Sequence, residues 1–337
     1  MGNTPLGWAA ENGHEGVVKI LLGRNDIDPN KSCEHGQTPL LGAALNGHQG
    51  VVKLLLGRGD VDPNKQNEHG TPLGRAAWNG DEGVVKTLLG RDDVDPNKPA
   101  EDGLTPLLGA ARNGYEGIVK LLLGRDDVDP DRPDDEGQTP LWRAAYEGYG
   151  EVVKLLLERD DVDPNKPDVS GQTPLCCAAS TGHEHVVEIL LRRSDVNPNK
   201  EDGYGGTPLR WAASAGWVNV VRLLVGRDDV DPNKPDQNHR TPLSRAAGQG
   251  HEREAKLLLG RDDIIPDQPD IEGQTPLWWA ALNGHEGVVK LLIGRDDVNP
   301  NKPNIYGSPP LLWATKHGHT GVIALLQPPT SATHSTP

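Results

Sequence analysis

Apolar residues along this 337-residue chain fall in one short phrase that returns again and again. A Leu is followed by an Ala-Ala pair, as at Leu141, Ala144 and Ala145. A second run then brings Val152, Val153, Leu155, Leu156 and Leu157. Spacings of three and four place each set on one side of a helix. The phrase opens on Thr-Pro-Leu at Thr4, Thr38, Thr71, Thr105, Thr139, Thr173, Thr207, Thr241 and Thr275, with a degraded Ser308-Pro309-Pro310-Leu311 after them. The period is 34 residues apart from one step of 33, where the residue usually found between Gly and Thr is missing from Gly70-Thr71. Ten units cover residues 1–326.

The polar residues between the apolar ones predict where each helix begins and ends. Thr is an N-cap whose hydroxyl accepts a backbone N–H, and Pro fits the first helical position because its missing donor costs nothing there. This predicts a short helix A running from the Pro to a Gly such as Gly148. A second segment, typified by His285 to Arg295, predicts helix B, with an early Glu and a terminal Arg that suit its dipole. Its Glu286 and Lys290 form an i,i+4 pair that recurs at Glu15 and Lys19, and this pair is read as solvating the outer face. A polar finger such as Asp126-Asp127-Val128-Asp129-Pro130 then reads as a turn or hairpin leading through Gly137 to the next cap.

A helix pair this small leaves its apolar face uncovered unless neighbours stack on it, so the expected fold is all-α: a curved solenoid of stacked helix-turn-helix units with hairpin-like fingers. Composition agrees with this. Hydrophobic residues make up 35%, but aromatics only 4% and Phe is absent, which leaves a thin core of Leu, Val and Ala. The pattern Gly-x-Thr-Pro-Leu-x-x-Ala-Ala-x-x-Gly-His-x-x-Val-Val-x-Leu-Leu-Leu resembles the ankyrin repeat family over nearly the whole chain. Two features depart from that family. The His often found directly after Thr-Pro-Leu is absent, and Asp126 or Asn25 stands where a Gly usually follows helix B; Asp and Asn can adopt the left-handed conformation at modest cost, so the change need not break the turn. The finger Asp-Val-Asp-Pro-Asn-Lys-Pro-Asp is similar to those of filamentous fungal arrays. That likeness implies the sensing half of a NACHT-type intracellular receptor.

Where the ten units agree they form a framework, and where they differ they carry a payload. The payload registers are the two residues after Thr-Pro-Leu and the residue after Ala-Ala. The candidates for binding a partner are Trp8, Arg75, Trp78, Arg112, Trp142, Arg143, Tyr146, Arg210, Trp211, Arg245, Trp278, Trp279 and Trp313. Trp, Tyr and Arg concentrate interface energy, and three registers in ten units suit an interface of roughly 20–30 residues a side. The resemblance implies that the second and third registers line the concave side. The competing reading is that these side chains fill gaps between repeats, as in a structural spacer or self-associating scaffold, and at the first register the sequence favours neither. Tyr115, Tyr149 and Trp217 replace the inter-helix His and read as structural.

Charge and motifs narrow the function further. A formal net charge of −15 disfavours nucleic acid and anionic membranes and leaves a neutral or basic protein as the expected partner, with the chain a monomer. No long apolar run or leader is present, and the three cysteines form no disulfide pattern, so a cytoplasmic location is expected. There is no phosphate-binding loop and no catalytic constellation, so the chain reads as non-enzymatic and free of cofactors. The six inter-helix histidines, His14, His48 and His251 among them, read as framework hydrogen bonds. Cys176, Cys177, His183 and His185 are set aside as zinc ligands because adjacent helical cysteines diverge by about a hundred degrees. Asp127, Asp129 and Asp131 lack the glycine and closing glutamate of a calcium loop. Residues 327–337 read as a disordered tail. The opening on Gly2-Asn3-Thr4, without a polar first repeat, reads as a piece of a longer protein.

Overall fold

The computed structural model describes residues 3–327, and the tail expected at the C-terminus lies outside them from residue 328 onward. Among the described residues there are twenty α-helices and no regular strand, only an isolated bridge between Asn67 and Gly70. No helix is long and apolar enough to cross a membrane. The chain divides into two compact units, Met1–Val169 and Ser170–Pro337, with five helix pairs in each. Within each unit, helix A packs on the next helix A, helix B on the next helix B, and the two helices of a repeat on each other.

Repeat five shows how the sequence builds a pair. Thr139 is extended (φ −82°, ψ 165°), and its hydroxyl accepts the Trp142 N–H at 3.1 Å. Pro140 opens α9 (Pro140–Glu147), and Gly148 closes it in the left-handed region at φ 85°. Leu141, Ala144 and Ala145 are sealed in the core, as are Val152, Val153 and Leu156 of α10 (Gly150–Leu157). Ala at the contact places only a methyl group between the backbones, which allows such short helices to pack closely. In repeat ten Pro309 takes the place of Thr and supplies no side-chain cap.

The inter-helix residue ties each repeat to the one before it. His48 Nε2 lies 3.0 Å from the Glu11 carbonyl, and His251, His285 and His319 repeat the contact with Ser214, Gly248 and Leu282 at 3.2, 3.1 and 3.0 Å. The preceding repeat needs glycine beneath the ring for two reasons. Gly216 has φ 79°, and a Cβ there would come within 2.7 Å of the His251 ring.

After helix B, Arg and Asp two residues apart form a fork, Arg261 to Asp263 at 2.8 and 2.7 Å, while the same guanidinium reaches back to the Val225 carbonyl at 2.9 Å. The Arg therefore satisfies the carbonyl end of the preceding repeat's helix B rather than only its own dipole. Forks of this kind close the turns that hold Asn25 and Asp126, residues to which the left-handed conformation is open. Among the described non-glycine residues only His239 has a positive φ, 58°, so neither Asn25 nor Asp126 adopts that conformation. In the fingers, Asn97 donates to the Asp127 carbonyl at 2.6 Å and accepts from the Asp129 N–H at 2.8 Å. Backbone bonds also join neighbouring finger tips, as from Val169 N–H to Glu136 O at 3.0 Å and from Ile305 N–H to Glu272 O at 2.9 Å.

Candidate recognition surface

In repeats five, seven, eight and nine the residue at the second payload register is held by an aspartate in the finger of its own repeat. Asp270 uses Oδ1 to accept the N–H groups of Glu272 and Gln274, at 3.0 and 2.9 Å, which folds the finger turn. Its Oδ2 accepts the Trp279 indole N–H at 3.1 Å, nine residues on. Asp202 does the same for Trp211 at 2.8 Å, Asp134 for Arg143 at 3.2 Å, and Asp236 for Arg245 through both Nε and Nη2. One carboxylate thus shapes the loop and aims the payload. Asp202, Asp236 and Asp270 are buried, which strengthens these bonds and fixes the donors.

Arginines lie over the same rings. The Arg210 guanidinium is 4.3 Å from the Trp211 ring centre, and Arg240 is 4.1 Å from that of Trp279. Arg210 and Arg245 share Asp236, and Arg240 reaches Asp270 at 3.4 Å. Burial works against the Asp236 charge, but the bond from Arg245 and the N–H groups of Arg240 and Asn238 outweigh it and hold its carboxyl below the usual range. Burial, and then the neighbouring Arg245, pull Arg210 below the ordinary arginine value. Repeats seven to nine therefore carry an interlocked strip of Arg, Trp and Asp.

The three registers differ in what they offer a partner. At the first, Trp142, Trp278 and Arg210 are only 4, 3 and 8% exposed, which makes these three part of the packing, whereas Leu312 of repeat ten is exposed. Trp142 stacks on Tyr146 at 5.4 Å, and Trp278 meets Trp279 and Trp313 at 5.3 and 5.5 Å. At the second register Trp8 is exposed beside His14, whereas Arg75, Arg143, Trp211, Arg245, Trp279 and Trp313 are half-buried. At the third, Tyr146 is exposed, and half-buried Trp78 lies under Arg112 at 5.4 Å. A small cavity of about 90 Å³ opens beside Trp279, lined by Arg240, Arg245 and Asn283, where Gly248 takes the third register without a side chain.

The aspartate pins were not among the sequence candidates. A signal for them exists within the copies themselves. From repeat three on, the repeats with Trp or Arg at the second register carry Asp or Asn at the finger position, as repeat six does with Asp168 and Cys177, while Gly42 and Gly109 are matched by Cys33 and Ala100. Trp217 falls where the sequence places it, in the framework: its N–H donates to the Ser180 carbonyl at 2.9 Å. Cys176 and Cys177 are both buried, and among the described residues no group of three or more His, Cys, Asp or Glu is placed to hold a metal ion.

Within each unit, helix pairs packed on their neighbours and fingers joined by backbone bonds define a repeat scaffold. The chain belongs to the ankyrin repeat family: the family model for ankyrin repeats, three copies long, matches residues 1–67, 73–168, 161–236, 193–270, 220–304 and 255–334. Among solved structures it is similar to the ankyrin repeat domain of Bcl-3, described as a member of the IkappaB protein family. That match has 28% identity and a TM-score of 0.56, and covers 62% of this chain and 93% of the other. No curated protein matches the chain. The ankyrin fold is a protein-interaction scaffold, and that class of function follows from membership.

Proposed function

We propose that the chain is a non-catalytic recognition module that binds a protein partner along the face formed by helix A and the fingers, the side that is concave in ankyrin arrays. The observation that carries this reading is the pinning of Trp211 and Trp279 by Asp202 and Asp270 while both rings remain partly open. Anchors fixed before contact lose little freedom on binding, which is how preorganisation raises affinity. The proposed contact residues are Trp8, Arg75, Trp78, Arg112, Arg143, Tyr146, Trp211, Arg245, Trp279 and Trp313. Trp142, Trp278 and Arg210 support them from beneath.

The fungal-type finger sequence supports a finer reading, that of a sensing segment of a cytoplasmic NACHT-type receptor acting as a monomer. The net charge of −15 disfavours nucleic acid and anionic membrane as partners. The rival reading of a spacer or self-associating scaffold is favoured by the burial of Trp142, Trp278 and Arg210 at the first register. The test is recovery of partners from host lysate by the native chain and by a variant with the ten proposed contact residues set to Ala, both checked for helix content. The native chain should retain a partner that the variant loses. Equal recovery by both would remove the proposal.

A further inference from the structure

The helix B layer has a second feature, away from the strip of pinned tryptophans. Between α14 (Val218–Val225) and α16 (Glu252–Leu259) lies an open groove of about 560 Å³, with walls formed by Val218, Val225 and Leu257. Arg222, Arg253 and Lys256 stand along it, all exposed. Among the described residues none of the three enters an ion pair, and Arg222 only donates to Asn219 Oδ1 at 3.0 Å. Arg261 also lines the groove, but its charge is engaged by Asp263 at 2.7 Å.

Comparison with the other repeats shows how the groove arises. Helix B usually opens on Glu-Gly and carries Lys a turn later, as in Glu15, Gly16 and Lys19 or Glu286, Gly287 and Lys290, a balanced set. In repeat seven Val218 takes the place of the Glu, and in repeat eight Arg253 takes the place of the Gly. Val225 stands where the first six repeats have Leu, and the shorter side chain leaves room between the helices. Glu252 stands four residues before Lys256, as in the other repeats, so Arg253, one turn from Lys256, is the charge this helix adds. In a chain of net charge −15 three cations without ion pairs stand here over an apolar floor, with Asp228 and Asp262 in the adjoining hollow beyond Arg261.

We propose that this groove is a docking site for an acidic peptide segment of a partner protein, with a leucine-class side chain on the apolar floor and carboxylates on Arg222, Arg253 and Lys256. A groove of this volume suits one or two such side chains. Salt at physiological strength screens the more distant acids beyond about 8 Å, so the local cations decide. The site is separate from the helix A face and does not depend on the function proposed for it.

The test is fluorescence anisotropy with a short labelled peptide of glutamates flanking a Leu-Leu pair. The controls are the same peptide with Leu changed to Ser and the same peptide with Glu changed to Gln. Saturable binding is expected for the first peptide alone, weakening as salt rises. Arg253→Gly, Arg222→Gln and Val225→Leu should each weaken it about tenfold or more at unchanged helix content, whereas Trp279→Ala, on the other face, should leave it intact. The proposal is overturned by absence of saturable binding, by equal binding of the Gln or Ser peptide, or by indifference to all three groove substitutions. Binding of phosphatidylserine vesicles without binding of the peptide would overturn it too.

Discussion

The Trp217 indole N–H meets the Ser180 carbonyl at 2.9 Å across 37 residues, the same reach by which His48 Nε2 meets the Glu11 carbonyl. Two unlike rings thus solve one problem, a carbonyl at the end of helix A that needs a donor from the next repeat. Trp217→His should keep that bond and lower stability by less than about 1 kcal/mol, while Trp217→Ala, which removes both donor and ring, should cost about 1–3 kcal/mol. Urea unfolding of the two variants decides this. Equal losses would mean that the ring matters only by its bulk.

Repeat ten tests the finger pin by its absence. Asn304 builds the same turn as the aspartates, accepting the Tyr306 and Ser308 N–H groups at 3.1 and 3.0 Å, but the Trp313 indole N–H is buried without an acceptor. An amide presents N–H where the other repeats present a second oxygen. Asn304→Asp should therefore supply the acceptor and raise stability by about 1 kcal/mol. A shift of the unfolding midpoint to higher urea, with an unchanged slope, would confirm it, and a shift to lower urea would refute the role given to Oδ2.

The period, the Thr caps and the glycine stops could be read from the sequence because each reports on its own neighbourhood, as Thr139 does three residues away at Trp142. The His register was legible for a related reason: the copies repeat it. The pins were hidden, since Asp270 and Trp279 belong to different elements, and an aspartate in a turn already has a sufficient local reason to be there. Burial of Trp278 was also hidden. Adjacent helical positions diverge by about a hundred degrees, but sequence alone leaves open which of Trp278 and Trp279 turns inward. The closure of the turn after helix B was hidden too: Asp126 allows a local backbone solution, whereas Arg125 and Asp127 close that turn through side chains at 2.8 and 2.6 Å.

Asp131 gives a prediction about pH. It stands where most fingers have Asn, and its Oδ2 accepts the Asp163 N–H at 2.7 Å while its Oδ1 is buried without a partner. Burial pushes its pKa above the ordinary 3.8. A carboxyl whose folded value is raised favours folding below the unfolded value, and that contribution is lost as pH rises through the folded value. Asp131→Asn should consequently be more stable than the native chain at pH 7, by about 1–2 kcal/mol, with the gap narrowing as pH falls toward 3.8. Unfolding curves for both chains across that range test it. A gap that widened in acid would show that the carboxylate is stabilised where it lies.

Trp278 and Trp279 offer the sharpest separation of packing from recognition, since they are adjacent and differ in where they point. Trp278 is 3% exposed and lies against Trp279 and Trp313, so Trp278→Ala should open a cavity and cost about 3–5 kcal/mol. Trp279 is half-buried, tied to Asp270 at 3.1 Å and covered on one side by Arg240, so Trp279→Ala should cost less stability. If the helix A face is the binding surface, Trp279→Ala should also weaken a captured partner by about 2 kcal/mol or more. Denaturation and titration calorimetry on the same two variants give both numbers. A large stability loss with undiminished affinity for Trp279→Ala would place that indole in the architecture and leave the recognition reading without its best anchor.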